Sequence, residues 1–185
     1  MVHYNDREAV KDIAEHLIAL GHTDIGFIKG PDNSKSAAER HEAFRDALEQ
    51  NGVHLGAKHI AFGANTFESG VDCAVQLLKS ENPPTAIFAS NDEMAIGVMV
   101  TAQKMGIDIP SELTIIGFDD TPQASKVWPA LTTVNLKVKE MGKLATLKLL
   151  ALCNNNIGLA KTIKSELVPT LVRRETTAPP PILRG

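Results

Sequence analysis

The sequence predicts an α/β fold, an open parallel sheet flanked by helices on both faces. Three observations predict it. Short apolar runs rich in Ile, Phe and Ala recur along the chain. Each is followed by a longer stretch whose apolar residues fall at three- and four-residue spacing. Gly or Pro marks most junctions between the two.

Taken in order, Asn5 or Asp6 can cap a helix whose Ala9, Val10, Ile13, Ala14, Leu17 and Ile18 share one face, and Gly21 stops it. Ile25-Gly26-Phe27-Ile28 reads as a buried strand ending at Gly30-Pro31. Ser36-Ala37-Ala38-Glu39 has capping-box spacing and opens a helix through Phe44 and Leu48 that ends near Gly52. The cycle repeats with a strand from His59 to Gly63 and a helix from Phe67 to Lys79, its Val71, Ala74, Val75 and Leu78 turned inward. After Pro83-Pro84 comes a strand, Thr85 to Ala89. Asn91 then caps a helix carrying Met94, Ala95, Val98, Ala102 and Met105, closed by Gly106. Beyond Pro110 the run Leu113 to Phe118 is a strand that ends at Asp119-Asp120.

After Asp120 the pattern changes. A loop with Trp128 and Pro129 leads to Leu131-Thr132-Thr133-Val134. A helix follows from Met141 to Leu152, stopped by Asn154-Asn155-Asn156. A last strand, Ser165 to Leu171, precedes a Pro-rich tail, Ala178 to Gly185, that is expected to be disordered.

Composition bounds the function. The chain has 185 residues, 43% hydrophobic and 22% charged, the balance of an ordinary soluble globular chain rather than a fibrous one. Its 19 basic against 22 acidic residues give a net charge of −3, which excludes a general electrostatic grip on nucleic acid by this chain alone. No apolar run reaches the roughly 18 residues of a membrane span, and the polar N-terminus lacks the apolar stretch of a signal peptide. Cys73 and Cys153 are far apart and form neither a metal spacing nor a disulfide framework, which fits a reducing cytoplasm.

In an open parallel sheet, ligands bind beyond the carboxyl ends of the strands. The segments that follow the four strands are Gly30 to Ser36, Gly63 to Thr66, Ser90 to Asp92, and Asp119-Asp120. They are small, polar or acidic, and suit a small, neutral, hydroxyl-bearing ligand. Each also has a plainer explanation. Ser36 and Asn91 are ordinary helix caps, and Asp119-Asp120 suits a turn. Arg40 could form a surface ion pair with Glu39 or Glu42, and Trp128 could simply pack. His22 is expected to pack at the corner after Gly21. The glycines do not form a dinucleotide fingerprint, and there is no phosphate loop, nucleophile elbow or His/Cys metal spacing. No catalytic residue, cofactor or metal is expected. Asp119-Asp120 holding a metal in a phosphoryl-transfer enzyme is the remaining enzymatic alternative.

Several segments carry a resemblance. They are Leu20-Gly21-His22 with Ile25 to Gly30, Arg40 with Phe44 one turn on, Pro84 to Gly97, Ile109 to Asp120, and Pro129 to Val134. In this order they resemble the effector-binding domain of lactose/galactose-repressor-type bacterial transcription factors, collinearly from about Val2 to Arg174. The resemblance implies a periplasmic-binding-protein-like fold and a sugar-sensing role in a DNA-binding repressor. It implies a homodimer in the cytoplasm that meets operator DNA only through an N-terminal helix-turn-helix domain. Residues 1–134 would form the second effector subdomain and 135–159 a crossover helix belonging with a first subdomain. Residues 160–177 would be the returning strand and 178–185 the tail. The Met141–Leu152 helix is then expected to pack onto its own domain in a way unlike the family, or onto a second chain. By position the resemblance makes Ser34, Ser36, Arg40, Asn65, Asn91 and Asp119 ligand contacts. Asn65 stands where the family often has an aromatic residue. A periplasmic sugar-binding protein of a transporter is the rival of the same fold.

Overall fold

The computed structural model describes residues 2–164 and 166–181. Strand β1 (His3–Tyr4) leads through the side-chain cap Asn5 into helix α1 (Asp6–Leu20), which Gly21 ends in the left-handed conformation. Strand β2 (Ile25–Lys29) is followed by α2 (Lys35–Gln50), β3 (Ile60–Phe62), α3 (Phe67–Leu78), β4 (Ala86–Ala89), α4 (Asp92–Lys104) and β5 (Thr114–Ile116). A four-stranded sheet results, in the order β3-β2-β4-β5, with every pairing parallel.

The alternation of side chains along these strands sorts the core into two faces. On one, Phe27, Phe88 and Ile116 pack with Val10, Ile13 and Leu17 of α1 and Phe44 and Leu48 of α2. On the other, Ile28, Ile87 and Ile115 meet Leu77 of α3 and Met94 and Val98 of α4. Phe88 is the hub of the first face, its ring centroid 5.3 Å from that of Phe27, 5.0 Å from Phe44 and 6.4 Å from Phe118. Helices α3 and α4 approach closely because they cross at glycines. A Cβ on Gly97 would lie 2.4 Å from the Phe67 carbonyl oxygen, and one on Gly70 2.4 Å from that of Met94.

Two small pairings lie outside this sheet. Strand β6 (Thr133–Asn135) runs antiparallel to β8 (Thr170–Val172), and β1 runs parallel to β7 (Glu166–Leu167). Between β6 and β7 lie α5 (Val138–Cys153) and α6 (Ile157–Thr162).

Several expectations need correction. The cap of α2 is Ser34, whose hydroxyl accepts from the Ala37 amide at 3.3 Å, so Ser36 lies in the first turn. The three asparagines after α5 do more than stop it. Asn156 caps α6, and the expected boundary between residues 159 and 160 falls inside that helix. The single strand expected from Ser165 to Leu171 is two strands interrupted at Val168-Pro169, since Pro lacks a ladder donor. Ser165 itself lies outside the described residues.

The C-terminal segment is also more ordered than its composition suggests. The buried Thr176 hydroxyl donates to the Ile115 carbonyl (2.6 Å) and accepts from the Thr132 amide (2.9 Å). The Ala178 amide donates to Thr114 Oγ1 (3.0 Å), and its carbonyl accepts from His22 Nε2 (2.8 Å), so His22 is buried at its corner as a clasp. Residues 178–181 are therefore held against the start of the sheet rather than disordered, while 182–185 lie outside the described residues.

Helix α5 packs chiefly against α6 rather than against the sheet. Among its side chains only Ala151 is buried, and Leu147, Leu149, Leu150 and Leu152 are exposed. Of the two packings expected for this helix, the one onto its own domain is not what the fold shows. Trp128, for which packing is the plainer reading, is 79% exposed.

Because Phe88 joins three other rings, Phe88→Ala should destabilise the fold by about 3–5 kcal/mol in urea unfolding, with Phe88→Leu recovering most of it. A cost below about 1 kcal/mol would contradict the assignment of this ring cluster as the centre of the core.

Candidate functional site

Hydrogen bonds link the segments that follow β3 and β4 to each other and to α2. Gly30 ends β2, and a Cβ there would lie 2.6 Å from Asn65 Oδ1, so the glycine is what lets the Asn65 side chain lie over this strand end. Asn65 takes a positive φ of 62° in the loop after β3, a conformation that asparagine tolerates. Its carbonyl accepts from Asn91 Nδ2 at 3.0 Å, while Asn91 Oδ1 caps α4 through the Met94 amide at 3.0 Å. Next to Asn91, the Ser90 carbonyl accepts from Arg40 Nη1 at 2.8 Å. Ser34 and Ser36, at the head of the helix that carries Arg40, bond to each other at 3.1 Å.

Arg40 is not the surface ion pair with Glu39 or Glu42 that its helical neighbours suggest. Its side chain is 12% exposed and its Nε donates to Asp6 Oδ2 at 2.8 Å, across 34 residues of sequence. The guanidinium carbon lies 3.8 Å from the Phe118 ring centroid. Two faces of the fork are thus fixed, and Nη2 has no hydrogen-bond partner among the described residues.

Asp119 follows β5 with φ at +124°, its amide donating to the Val134 carbonyl at 3.0 Å. Burial pushes its carboxyl up to about 6. Arg40 opposes that rise, and the charges of Asp92 and Asp6 add to it. Among the described residues nothing hydrogen-bonds this carboxylate. Asp120 behaves differently. Arg174 Nη2 donates to its Oδ1 and Asn135 Nδ2 to its Oδ2, each at 2.6 Å. The two neighbouring aspartates therefore face different partners and do not form a paired metal clamp. Among the described residues no group of three or more His, Cys, Asp or Glu gathers as a metal site.

Two groups in this region escaped sequence reasoning. Asp6 was visible only as a possible cap, since nothing local signals a partner on α2. Asp92 looks like a first-turn acidic residue, yet it is buried. It accepts from the Thr121 amide (2.7 Å), Thr121 Oγ1 (3.0 Å) and Thr133 Oγ1, which ties α4 to the segments after β5 and into β6. Burial raises its pKa even against those bonds.

The structure thus brings Arg40, Asn65, Asn91 and Asp119 to one edge of the sheet, with Ser34 and Ser36 beside them on the α2 terminus. Asp119 lines a hollow of about 310 Å³ with Asp120, Asn135, Leu136, Lys137 and Lys139. A larger hollow of about 610 Å³ lies at the opposite edge, among Gly21, Asp24, Pro84, Leu113 and Pro180. None of the six residues reaches it.

Comparison with known proteins identifies the relatives. Residues 14–177 match the periplasmic binding protein-like domain. The chain is 36% identical over 176 residues to a probable HTH-type transcriptional repressor, ExuR, of Bacillus subtilis (strain 168), covering 94% of this chain and 53% of that one. It is 39% identical over 168 residues to the HTH-type transcriptional regulator DegA of the same organism, covering 91% and 49%. Among solved structures, a sugar-binding transcriptional regulator of the LacI family from Escherichia coli, complexed with phosphate, superposes with a TM-score of 0.87 at 31% identity, covering 97% of this chain and 63% of that one. The chain spans about half the length of the curated relatives it matches. Among the described residues no helix is long and apolar enough to cross a membrane.

The Asp119 carboxyl has a checkable thermodynamic consequence. Its folded pKa of about 6 lies above its ordinary value of 3.8. The folded state therefore binds more protons between these values, so the group's contribution to stability grows as pH falls through about 6 and is lost as pH rises through it. Asp119→Asn should raise stability at pH 7.5 by on the order of 1 kcal/mol, discounted for partial solvent screening. That advantage should shrink by pH 5 in paired urea titrations. An asparagine variant no more stable than wild type at pH 7.5 would refute the burial account.

Proposed function

Because the chain belongs to the periplasmic binding protein-like domain family and its homologues are LacI-family transcriptional repressors, we propose that it is the effector-sensing part of such a repressor. The effector is a small, hydroxyl-rich molecule of the sugar type. The observation that carries the reading is the convergence of Arg40, Asn65, Asn91 and Asp119 at the carboxyl edge of one parallel sheet. Arg40 Nη2 donates to ligand oxygens, the Asp119 carboxylate accepts from ligand hydroxyls, and Asn91, Asn65, Ser34 and Ser36 complete the polar lining.

Residues 1–134 and the strand around 170–172 form one lobe. The segment containing α5 and α6 belongs with a second lobe outside these 185 residues. The exposed leucines of α5 support this division. Ligand held between two lobes favours one closure over another and so shifts an equilibrium that a DNA-binding headpiece reads. The protein works as a homodimer in the cytoplasm, contacts operator DNA only through that headpiece and performs no catalysis. The descriptions of the relatives as HTH-type regulators favour this over a periplasmic transport protein.

A thermal-shift screen of hexoses and pentoses against the protein, followed by calorimetric titration of the stabilising sugar, tests the site. Arg40→Ala should weaken that sugar's binding by on the order of tenfold or more. Affinity unaffected by the substitution would end the assignment.

A further inference from the structure

We infer that Asp6 is a specificity-determining residue of this site, selecting an uncharged or amino-bearing ligand and excluding carboxylates and phosphates; the inference rests on the sugar-site reading above. Arg40 taken alone invites an anion, because a guanidinium fork is matched to carboxylate and phosphate oxygens. Here that match is already made inside the protein. Asp6 Oδ2 lies 2.8 Å from Arg40 Nε, and the two side chains are only 10% and 12% exposed, so the pair is little screened by water.

The charge around the rim then decides the ligand. Lys29, the other cation at a strand end, is held by Asp32 at 2.8 Å, and Arg174 by Asp120 at 2.6 Å. Asp119 is left over, with its carboxylate unbonded among the described residues, and the buried Asp92 adds a further negative group behind it. Lys137, at the start of α5, and Lys139, in its first turn, line the hollow beside Asp119. Their charges offset its negative field but do not supply a fork for an anion at Arg40. A ligand carboxylate arriving at Arg40 Nη2 meets Asp6 behind the guanidinium and Asp119 beside it. A hydroxyl or an ammonium meets acceptors instead.

Asp6 is also poorly explained as a purely stabilising group. Its Oδ1 is fully buried and has no hydrogen-bond partner among the described residues. A carboxylate oxygen left in that state costs stability, and Asn5 already caps the helix that Asp6 begins. For the same reason Asp6 can be replaced without removing the cap, and thermal unfolding of each variant checks that the fold is kept.

The test has two arms. In the first, inorganic phosphate is titrated into wild type, Asp6→Asn, Asp6→Ala and the double variant Asp6→Asn/Arg40→Ala, with binding followed by 31P line broadening. Both single variants should bind phosphate on the order of tenfold more tightly than wild type, and the double variant should lose the gain. Equal phosphate affinity in wild type and both Asp6 variants overturns the inference whether or not any sugar binds. In the second arm, galactose, galactosamine, galacturonate and galactose 6-phosphate are compared by calorimetry. Wild type should prefer the first two, and Asp6→Asn should narrow or reverse the preference. Preference of wild type for an acidic member, lost in Arg40→Ala, overturns the inference while leaving the site reading intact. Sugar binding insensitive to Arg40→Ala overturns the site reading itself.

Discussion

The Arg40 guanidinium ties together four parts of the chain that are distant in sequence. It projects from α2, reaches Asp6 at the start of α1, holds the Ser90 carbonyl at the end of β4 and lies on the Phe118 ring just past β5. Each contact satisfies a separate requirement of a buried cation. Asp6 supplies the counter-charge, the carbonyl takes a second donor, and the ring lies under the planar face. Without a partner on α1 a guanidinium could not be this enclosed, and without Arg40 the Asp6 carboxylate would be buried alone. The arrangement of the rim follows from that mutual dependence.

Three carboxylates stand in this region, Asp6 and Asp119 coupled to Arg40 and Asp92 coupled to Asp119, and they differ in how completely they are satisfied. Asp92 is deepest and accepts three hydrogen bonds from threonine groups, so it fastens α4 to the neighbouring loops. Asp6 has one oxygen paired and the other buried without a partner among the described residues. Asp119 carries no hydrogen bond on its carboxylate among the described residues, and burial pushes its pKa up. This series runs from a fastening role towards an available one. A protein shaped for stability alone would not keep the last two in their present state, since each desolvated acceptor without a donor weakens the fold. Strain of that kind concentrates where a molecule must be held.

Much of the sheet was legible in the sequence, because a parallel strand buried on both faces is a short apolar run and its helix has a distinct period. Ile25–Lys29 and Ala86–Ala89 lie where their apolar runs predict. The rim was legible only in outline. Polar residues after each strand mark an edge, but pairings between distant elements have no local signature, so the Asp6–Arg40 pair was invisible and the neighbouring glutamates looked like better partners. The tail misled for a related reason. Its Pro-rich composition says that it forms no helix, while its order comes from Thr114, Ile115 and His22 elsewhere in the chain. The break between β7 and β8, by contrast, could have been read from Pro169.

Asp119 and Asp120 show how the candidate site and the outlying strands are joined. Asp119 turns its carboxylate to the rim while its amide holds the Val134 carbonyl of β6. Asp120, one peptide further, is locked to Asn135 of β6 and to Arg174 just beyond β8. A change in charge or contact at the Asp119 carboxylate is therefore felt one hydrogen bond away from the antiparallel pair that leads into α5. Position alone does not make such a link a signal. It becomes one only when a ligand binds two arrangements of those strands with different affinity. The asymmetry of the two aspartates supplies the needed division of labour. One acid carries no hydrogen bond on its carboxylate among the described residues, and its neighbour is fixed to β6 and to the segment after β8.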